Sequence, residues 1–326
     1  MDIFDVAKAC NVSKSTVSRI LNNHPYVNEE KRKRVLQYIE ENNYVPNNIA
    51  TYFRNRTTKS IGISIPYIDH PFFSKVSYEL TKNFYEVGYK SFIHQTFCSP
   101  NKEEEVLISL KKNEIDAVIL CSVENQVDII EEYSKYGLII SSNDTNQTKS
   151  ISNFHFDEFN IGKDATEYLI KKEINNIAIC IDNPFNGAQK LRLEGYKEAL
   201  LENKINFKEE YIFSSAFTID DGIKIGMKIR ESHKEIQGIY TGNDYVSAGI
   251  FRVLGNEVFL IGTDNHDICK ILTPQLSSVS LPIERMAKDI SSHVIKQLSL
   301  NEKEVIDKLY SYRIISDSVA ITSKYS

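Results

Sequence analysis

The stretch "NVSKSTVSRILNN", Asn11–Asn23, decides how the chain begins. Val17, Ile20 and Leu21 recur at spacings of three and four, which predicts a helix with one apolar side. Ser13, Lys14, Ser15 and Arg19 fall on the other side. Ser13 stands where an N-cap belongs, although Thr16 is not the Glu or Gln that completes a capping box. Upstream, Ile3, Val6, Ala7 and Cys10 share one face of a first helix, and Asn11-Val12 makes the turn. Downstream, Asn28 caps a third helix that carries Glu29 and Glu30 in its first turn. Val35, Leu36 and Ile39 are expected to face its partners.

Two helices on a tight turn form a helix-turn-helix pattern, whose second helix enters the major groove N-terminus first. Lys14, Ser15 and Arg19 would then meet base edges, Arg being suited to guanine. Ser13, Thr16, Ser18, Asn22 and the run Lys31–Arg34 could hold phosphates. A small bundle with a solvated face has the same spacing, so the pattern alone leaves both readings open. Charge leans toward a polyanion partner at this end. The first sixty residues hold ten Lys/Arg against six Asp/Glu, and the remainder 29 against 38.

After Pro46 the segment "NNIATYFRN" can form only a short helix, marginal alone because nucleation is costly. Ile49 and Phe53 lie on one side of it, and Arg54, Arg56 and Lys59 follow. From Ser60 short apolar runs ("IGISI", "AVILC", "LIIS", "IAICI", "VFLIG") alternate with amphipathic stretches near 72–87, 102–112, 126–135, 159–172 and 187–202. That alternation predicts an α/β fold with parallel sheets covered by helices on both faces. So many strands suit two doubly wound lobes with a cleft between them better than one sheet.

"DVAKACNVSKSTVSRILNN" resembles the N-terminal signature of the LacI/GalR bacterial transcription regulators, and "NYVPNNIA" the start of that family's hinge. The resemblance continues through "KSIGISIPYIDHPFFSKV", "LRLEGYKEAL", "GNDYVSAG", "LIGTDN" and "LSSVSLPIERMA". It implies a helix-turn-helix domain over 1–46, a hinge helix and linker over 47–58, and a periplasmic-binding-protein-like core over 59–326. Lobe one of that core is expected at about 59–157 and 282–310, lobe two at about 158–281 and 311–326. It further implies a homodimer on a pseudo-palindromic double-stranded DNA operator, with Asn48, Ala50 and Phe53 of the hinge on the minor groove. Phe53 stands where the family usually wedges Leu between base pairs.

The same resemblance implies a small effector, a sugar or sugar phosphate, in the cleft. Phe72 and Phe73 follow the first strand, and Arg192, Phe217, Asn243 and Asp264 occupy positions that hold ligand in the family. Each has a plainer reading: core packing for the Phe pair, a surface charge for Arg192, and beside Asn243 a helix N-cap at Asp244. Ser142-Asn143 replaces a common Asp, Leu281 replaces a common Gln, and "RVLGNEVFLIG" is shorter than usual, which suggests a trimmed loop rather than a lost strand.

The seven histidines and five cysteines show no metal-ligand spacing, and there is no G-x-S-x-G, P-loop or G-x-G-x-x-G. No enzyme, cofactor or metal is expected. His70 and His94 could line a cleft instead. Scattered cysteines, an unremarkable charged N-terminus and no long apolar run imply a reduced, cytoplasmic protein without a membrane partner. The function expected is repression of a carbohydrate-utilisation operon. The rival readings are an activator or a purine-type corepressor response, and a stand-alone sugar receptor.

Overall fold

Helix α1 (Ile3–Ala9) begins at Asp2, whose carboxylate accepts the N–H groups of Phe4 and Asp5. Asp5 in turn accepts the N–H of Asp2, closing a capping box. The computed structural model describes residues 1–21, 24–44, 57–142, 150–183, 187–300, 304–316 and 321–322. Asn22, Asn48, Ala50, Phe53 and Asn143 lie outside them. The chain divides into two units, Met1–Thr58 and Lys59–Ser326.

In the first unit, Asn11 takes a left-handed conformation (φ 47°) and turns the chain into α2 (Lys14–Leu21). Ser13 caps α2 by accepting the Thr16 N–H at 3.2 Å, and its hydroxyl also meets the Thr16 hydroxyl at 2.8 Å. Thr16 thus answers the cap through a hydroxyl instead of the carboxylate of a capping box. Asn28 caps α3 (Glu29–Glu41) through the Lys31 N–H. Val6, Ala7, Cys10, Val17, Ile20, Val35 and Tyr44 form the interior, with Ile3, Leu21 and Ile39 packed against it. Leu36 departs from the expectation. It is 45% exposed, because one turn of α3 cannot bring both Val35 and Leu36 onto the same narrow contact.

The second unit holds two sheets. The first has the order β11-β5-β4-β3-β1-β2 and is parallel throughout. Its strands are β1 (Ser60–Ile65), β2 (Lys90–Gln95), β3 (Ala117–Leu120), β4 (Leu138–Ser142), β5 (Ser152–Phe156) and β11 (Asp307–Tyr310). The second has the order β13-β12-β10-β9-β8-β6-β7. It contains β6 (Ile177–Cys180), β7 (Ile212–Phe213), β8 (Gly238–Thr241), β9 (Phe259–Thr263), β10 (Ser277–Ser280), β12 (Arg313–Ile315) and β13 (Ile321–Thr322). Its last two strands are antiparallel additions at one edge.

Strand alternation sends side chains to both faces, as buried parallel strands require. Ala117 and Ile119 of β3 join one core while Val118 and Leu120 join another. Ile177 and Ile179 of β6 likewise face away from Ala178 and Cys180. The helices between strands are α4 (Pro71–Glu86), α5 (Pro100–Lys111), α6 (Val127–Tyr133), α7 (Glu158–Ile170) and α8 (Gly187–Glu202). They are followed by α9 (Ile219–Ser232), α10 (Asp244–Leu254), α11 (Ile268–Ile271) and α12 (Ile283–Leu300). A single 3-10 turn, Gly255–Glu257, joins α10 to β9, so the short loop there costs no strand.

The chain passes between the sheets three times: from β5 into α7, from β10 into α12, and from β11 into β12. The third passage is pinned on both sides. Tyr310 donates to Asp289 of α12 at 2.9 Å, and Tyr312 donates to Asp164 of α7 at 2.7 Å. Helices α7 and α8 meet backbone to backbone. A Cβ on Gly162 would lie 2.1 Å from the Arg192 carbonyl oxygen, and one on Gly195 would lie 2.0 Å from that of Phe159. Only glycine permits that approach, which brings Glu158 beside Arg192.

Candidate nucleic-acid interface and ligand cleft

On the first unit, Ser13, Lys14, Ser15 and Arg19 are exposed, and Thr16 and Ser18 are half-buried. The buried Val17 and Ile20 anchor the helix from behind, so its outer row is presented on a rigid element. A polar recess of about 550 Å³ lies beside the start of α2, lined by Lys8, Asn11, Ser13, Thr16 and Lys31 among others. Two lysines around a helix N-terminus suit a phosphate oxygen. Lys8 and Asn11 carry no sequence signal for that role beyond their charge and turn propensity. In the basic run, Arg32 is already committed: its guanidinium donates to the His24 carbonyl at 2.6 Å and pairs with Glu29 at 3.7 Å.

On the second unit, a cavity of about 720 Å³ lies where α4, α9 and α10 begin. Its wall includes Asp69, His70, Ser74, Lys75, Phe217, Asp220, Tyr245 and His266. Phe217 comes from the segment before α9, yet its ring packs edge-on against Tyr67 (5.5 Å) and His70 (5.0 Å), which follow β1. Aromatic contact therefore spans the two lobes at the cavity mouth. Sequence reading places Phe217 there but misses Tyr67, Tyr245 and His266.

Phe72 is buried in the core of lobe one and does not line the cavity. The helix turn that begins at Pro71 sends it inward, while Phe73 reaches the His70 ring at 5.2 Å. His94 is on edge strand β2 and is not part of the wall. Arg192 is buried rather than a surface charge, with its Nε donating to Glu158 at 2.5 Å and its Nη1 to the Gly242 carbonyl at 3.0 Å. Burial opposes its charge, but the Glu158 carboxylate outweighs that and keeps the guanidinium protonated. Asn243 caps α10 by accepting the Val246 N–H at 3.0 Å, and its amide donates to the Phe217 carbonyl at 3.1 Å. It tethers the aromatic segment to the end of β8.

Asp264 sits just past β9 with φ of 94°, a backbone strain of the kind that collects at functional sites. Its carboxylate is 3.4 Å from the His266 ring. Asp244, fully buried, accepts the His266 N–H at 2.7 Å. Burial first, then the nearby Asp264 charge, pushes the Asp244 carboxyl up to about 7. Burial disfavours the charged form of His266, but Asp264 and Asp244 together outweigh it and raise its pKa. His70 behaves oppositely. Burial lowers it to about 4, with Asp264 resisting and His266 and Arg192 assisting. At neutral pH it is therefore an uncharged ring, and its Nδ1 has no partner in the fold.

Aromatic rings, a neutral imidazole with an unpartnered buried nitrogen, and carboxylates that accept hydrogen bonds from hydroxyls suit a polyhydroxylated ring. The two positions that depart from the resembled family are closed off. Ser142 is fully buried, with its hydroxyl on the Met286 sulfur at 3.8 Å, and Leu281 belongs to the core. Among the described residues no His/Cys/Asp/Glu group has metal-ligand geometry, and no helix is long and apolar enough to cross a membrane.

Comparison with known proteins agrees with these two units. Residues 2–47 match the family described as "Bacterial regulatory proteins, lacI family", and residues 58–306 match "Periplasmic binding proteins and sugar binding domain of LacI family". The chain is 37% identical over 306 residues to the NTD biosynthesis operon regulator NtdR of Bacillus subtilis (strain 168), covering 92% of this chain and 93% of that one. Among solved structures, a LacI-family transcriptional regulator from Silicibacter pomeroyi superposes with a TM-score of 0.84 at 20% identity, over 97% of this chain and 98% of that one. The lac repressor dimer bound to operator and the anti-inducer ONPF superposes with a TM-score of 0.80 at 17% identity, with the same coverage.

Proposed function

The chain belongs to the LacI/GalR family of bacterial transcriptional regulators, ligand-responsive transcription factors rather than enzymes, and from that premise we propose that it represses a carbohydrate-utilisation operon. It acts as a homodimer. Each subunit places Lys14, Ser15 and Arg19 in a major groove of a pseudo-palindrome, while Asn48, Ala50 and Phe53 meet the minor groove between. A second copy covers the apolar face that α4 and edge strand β2 leave exposed at Tyr78, Tyr85 and Ile93.

The observation that carries the reading is the interlobe cavity, with Phe217, His70 and His266 in its wall and Asp264 3.4 Å from the His266 ring. A sugar bound there exchanges the Phe217 contacts for its own and resets the lobes about three chain passages. Effector and operator are then coupled, so each must change the affinity for the other by the same factor. The wall carries Asp69 and Asp220, and Lys75, the one lysine in it among the described residues, is held between Glu79 (2.9 Å) and Glu284 (3.0 Å). That balance favours a sugar without phosphate.

The test is a thermal-shift screen of the full chain against neutral, amine-bearing and phosphorylated sugars, with purines as controls. A ligand at 100 times its dissociation constant adds about 2.7 kcal/mol of stability. A hit that also lowers affinity for a duplex selected from a random pool supports an inducer. A hit that raises it makes the effector a corepressor. Equal binding of selected and random duplexes at physiological salt overturns the regulator reading altogether.

A further inference from the structure

We infer that Phe4 is a positioning residue for operator reading, because its ring holds the Lys14 ammonium in place; the inference rests on the proposal that Lys14 meets a base edge. Phe4 is 59% exposed and takes no part in the interior of the first unit. Its N–H is fixed at 2.7 Å by the Asp2 cap, at the start of α1. The Lys14 Nζ stands 4.2 Å from the centre of the Phe4 ring. An exposed aromatic without a packing role is thus engaged by the first residue of the helix that faces the groove.

A lysine has a flexible four-carbon stem and a compact charge, and left alone it settles on whichever phosphate it reaches. The ring attracts the ammonium through its quadrupole and removes that freedom. Docking on DNA excludes water, which strengthens the contact. With Phe4 in place, Lys14 is kept over the groove, where the N7 and O6 acceptors of guanine lie. Without it, Lys14 swings to the backbone. Affinity then survives while discrimination at one base position is lost.

The experiment selects duplexes from a randomised pool with the full-length dimer, for wild type, Phe4→Leu, Phe4→Tyr, Lys14→Ala and the double variant Phe4→Leu/Lys14→Ala. The expected result is that Lys14→Ala flattens preference at one position per half-site, and Phe4→Leu weakens preference at that same position by about 2- to 5-fold, the equivalent of an exposed cation–π contact. Phe4→Tyr keeps the wild-type preference. The salt dependence of Phe4→Leu steepens by about 0.9 in log–log slope for each subunit that gains a phosphate contact. In the Lys14→Ala background the Phe4 change has no further effect on preference. If Phe4→Leu leaves intact a preference that Lys14→Ala erases, or if the two effects combine independently, the inference is wrong. If Lys14→Ala erases no preference, the base-reading role of Lys14 fails first and the inference falls with it.

Discussion

The pair Glu158–Arg192 offers the sharpest test of the cleft. Its side chains are 1% and 6% exposed, and the Arg192 Nη1 also holds the Gly242 carbonyl. Glu158→Gln keeps the shape and an acceptor for Nε but removes the compensating charge. Removing one partner of a buried ion pair costs about 3–5 kcal/mol. The retained hydrogen bonds place this case at the lower end, at about 3 kcal/mol. A domain this large shifts by about 2–4 °C per kcal/mol, so the core should melt roughly 6–12 °C lower. Replacing both partners by apolar residues, Glu158→Leu with Arg192→Met, should recover most of the loss, because no charge is left unpaired. The double variant should also be blind to effector, since no guanidinium remains near His70. Differential scanning calorimetry of the three proteins gives the answer. A Glu158→Gln variant melting within 1 °C or so of wild type, or a double variant worse than the single, would refute the reasoning.

Three further predictions follow from the geometry. Arg19→Ala should cost about 1–3 kcal/mol in operator binding and relax preference at one base position; a loss that is uniform across sequences would reassign Arg19 to phosphate. Asp264→Ala should abolish the effector response while operator affinity in its absence is kept, measured by fluorescence anisotropy. Asp244→Asn should change the pH profile of stability. The folded Asp244 keeps its proton up to about 7 whereas the unfolded chain releases it near 3.8, so its stabilising contribution is present at low pH and lost as pH rises through that window. His70 pulls the other way, losing stability as pH falls from 6.5 to about 4. Urea titrations from pH 4 to 8 should therefore show Asp244→Asn gaining on wild type as pH rises.

Periodic features were legible from composition and spacing. The α4 stretch read as 72–87 is Pro71–Glu86, and the α8 stretch read as 187–202 is Gly187–Glu202. Helix α9 carries its own start signal, the capping box of Thr218 with Asp221. Features that depend on tertiary approach were not legible. Glu158 and Arg192 are 34 positions apart, and nothing local says that Gly162 and Gly195 will let their helices touch. In the dipeptide Asn243-Asp244 the second residue reads as a helix N-cap, whereas the structure gives that place to the first. The second becomes a fully buried carboxyl facing His266. Phe72 and Phe73 are adjacent and chemically identical, so only the direction of the helix decides which is buried outright and which, packed on the edge of the same core, meets the His70 ring.

Strand β11 pairs with β5 between residues 154 positions apart. A ribosome adding about 5–20 residues per second takes roughly 8–30 s to cover that distance. Throughout that interval the nascent first lobe presents the open flank of β5, on which the Asn153 N–H later donates to the Ile306 carbonyl at 2.8 Å. The operator-facing unit, complete within the first sixty residues, emerges long before. Interrupted synthesis would thus yield a product able to occupy DNA before it is able to answer an effector.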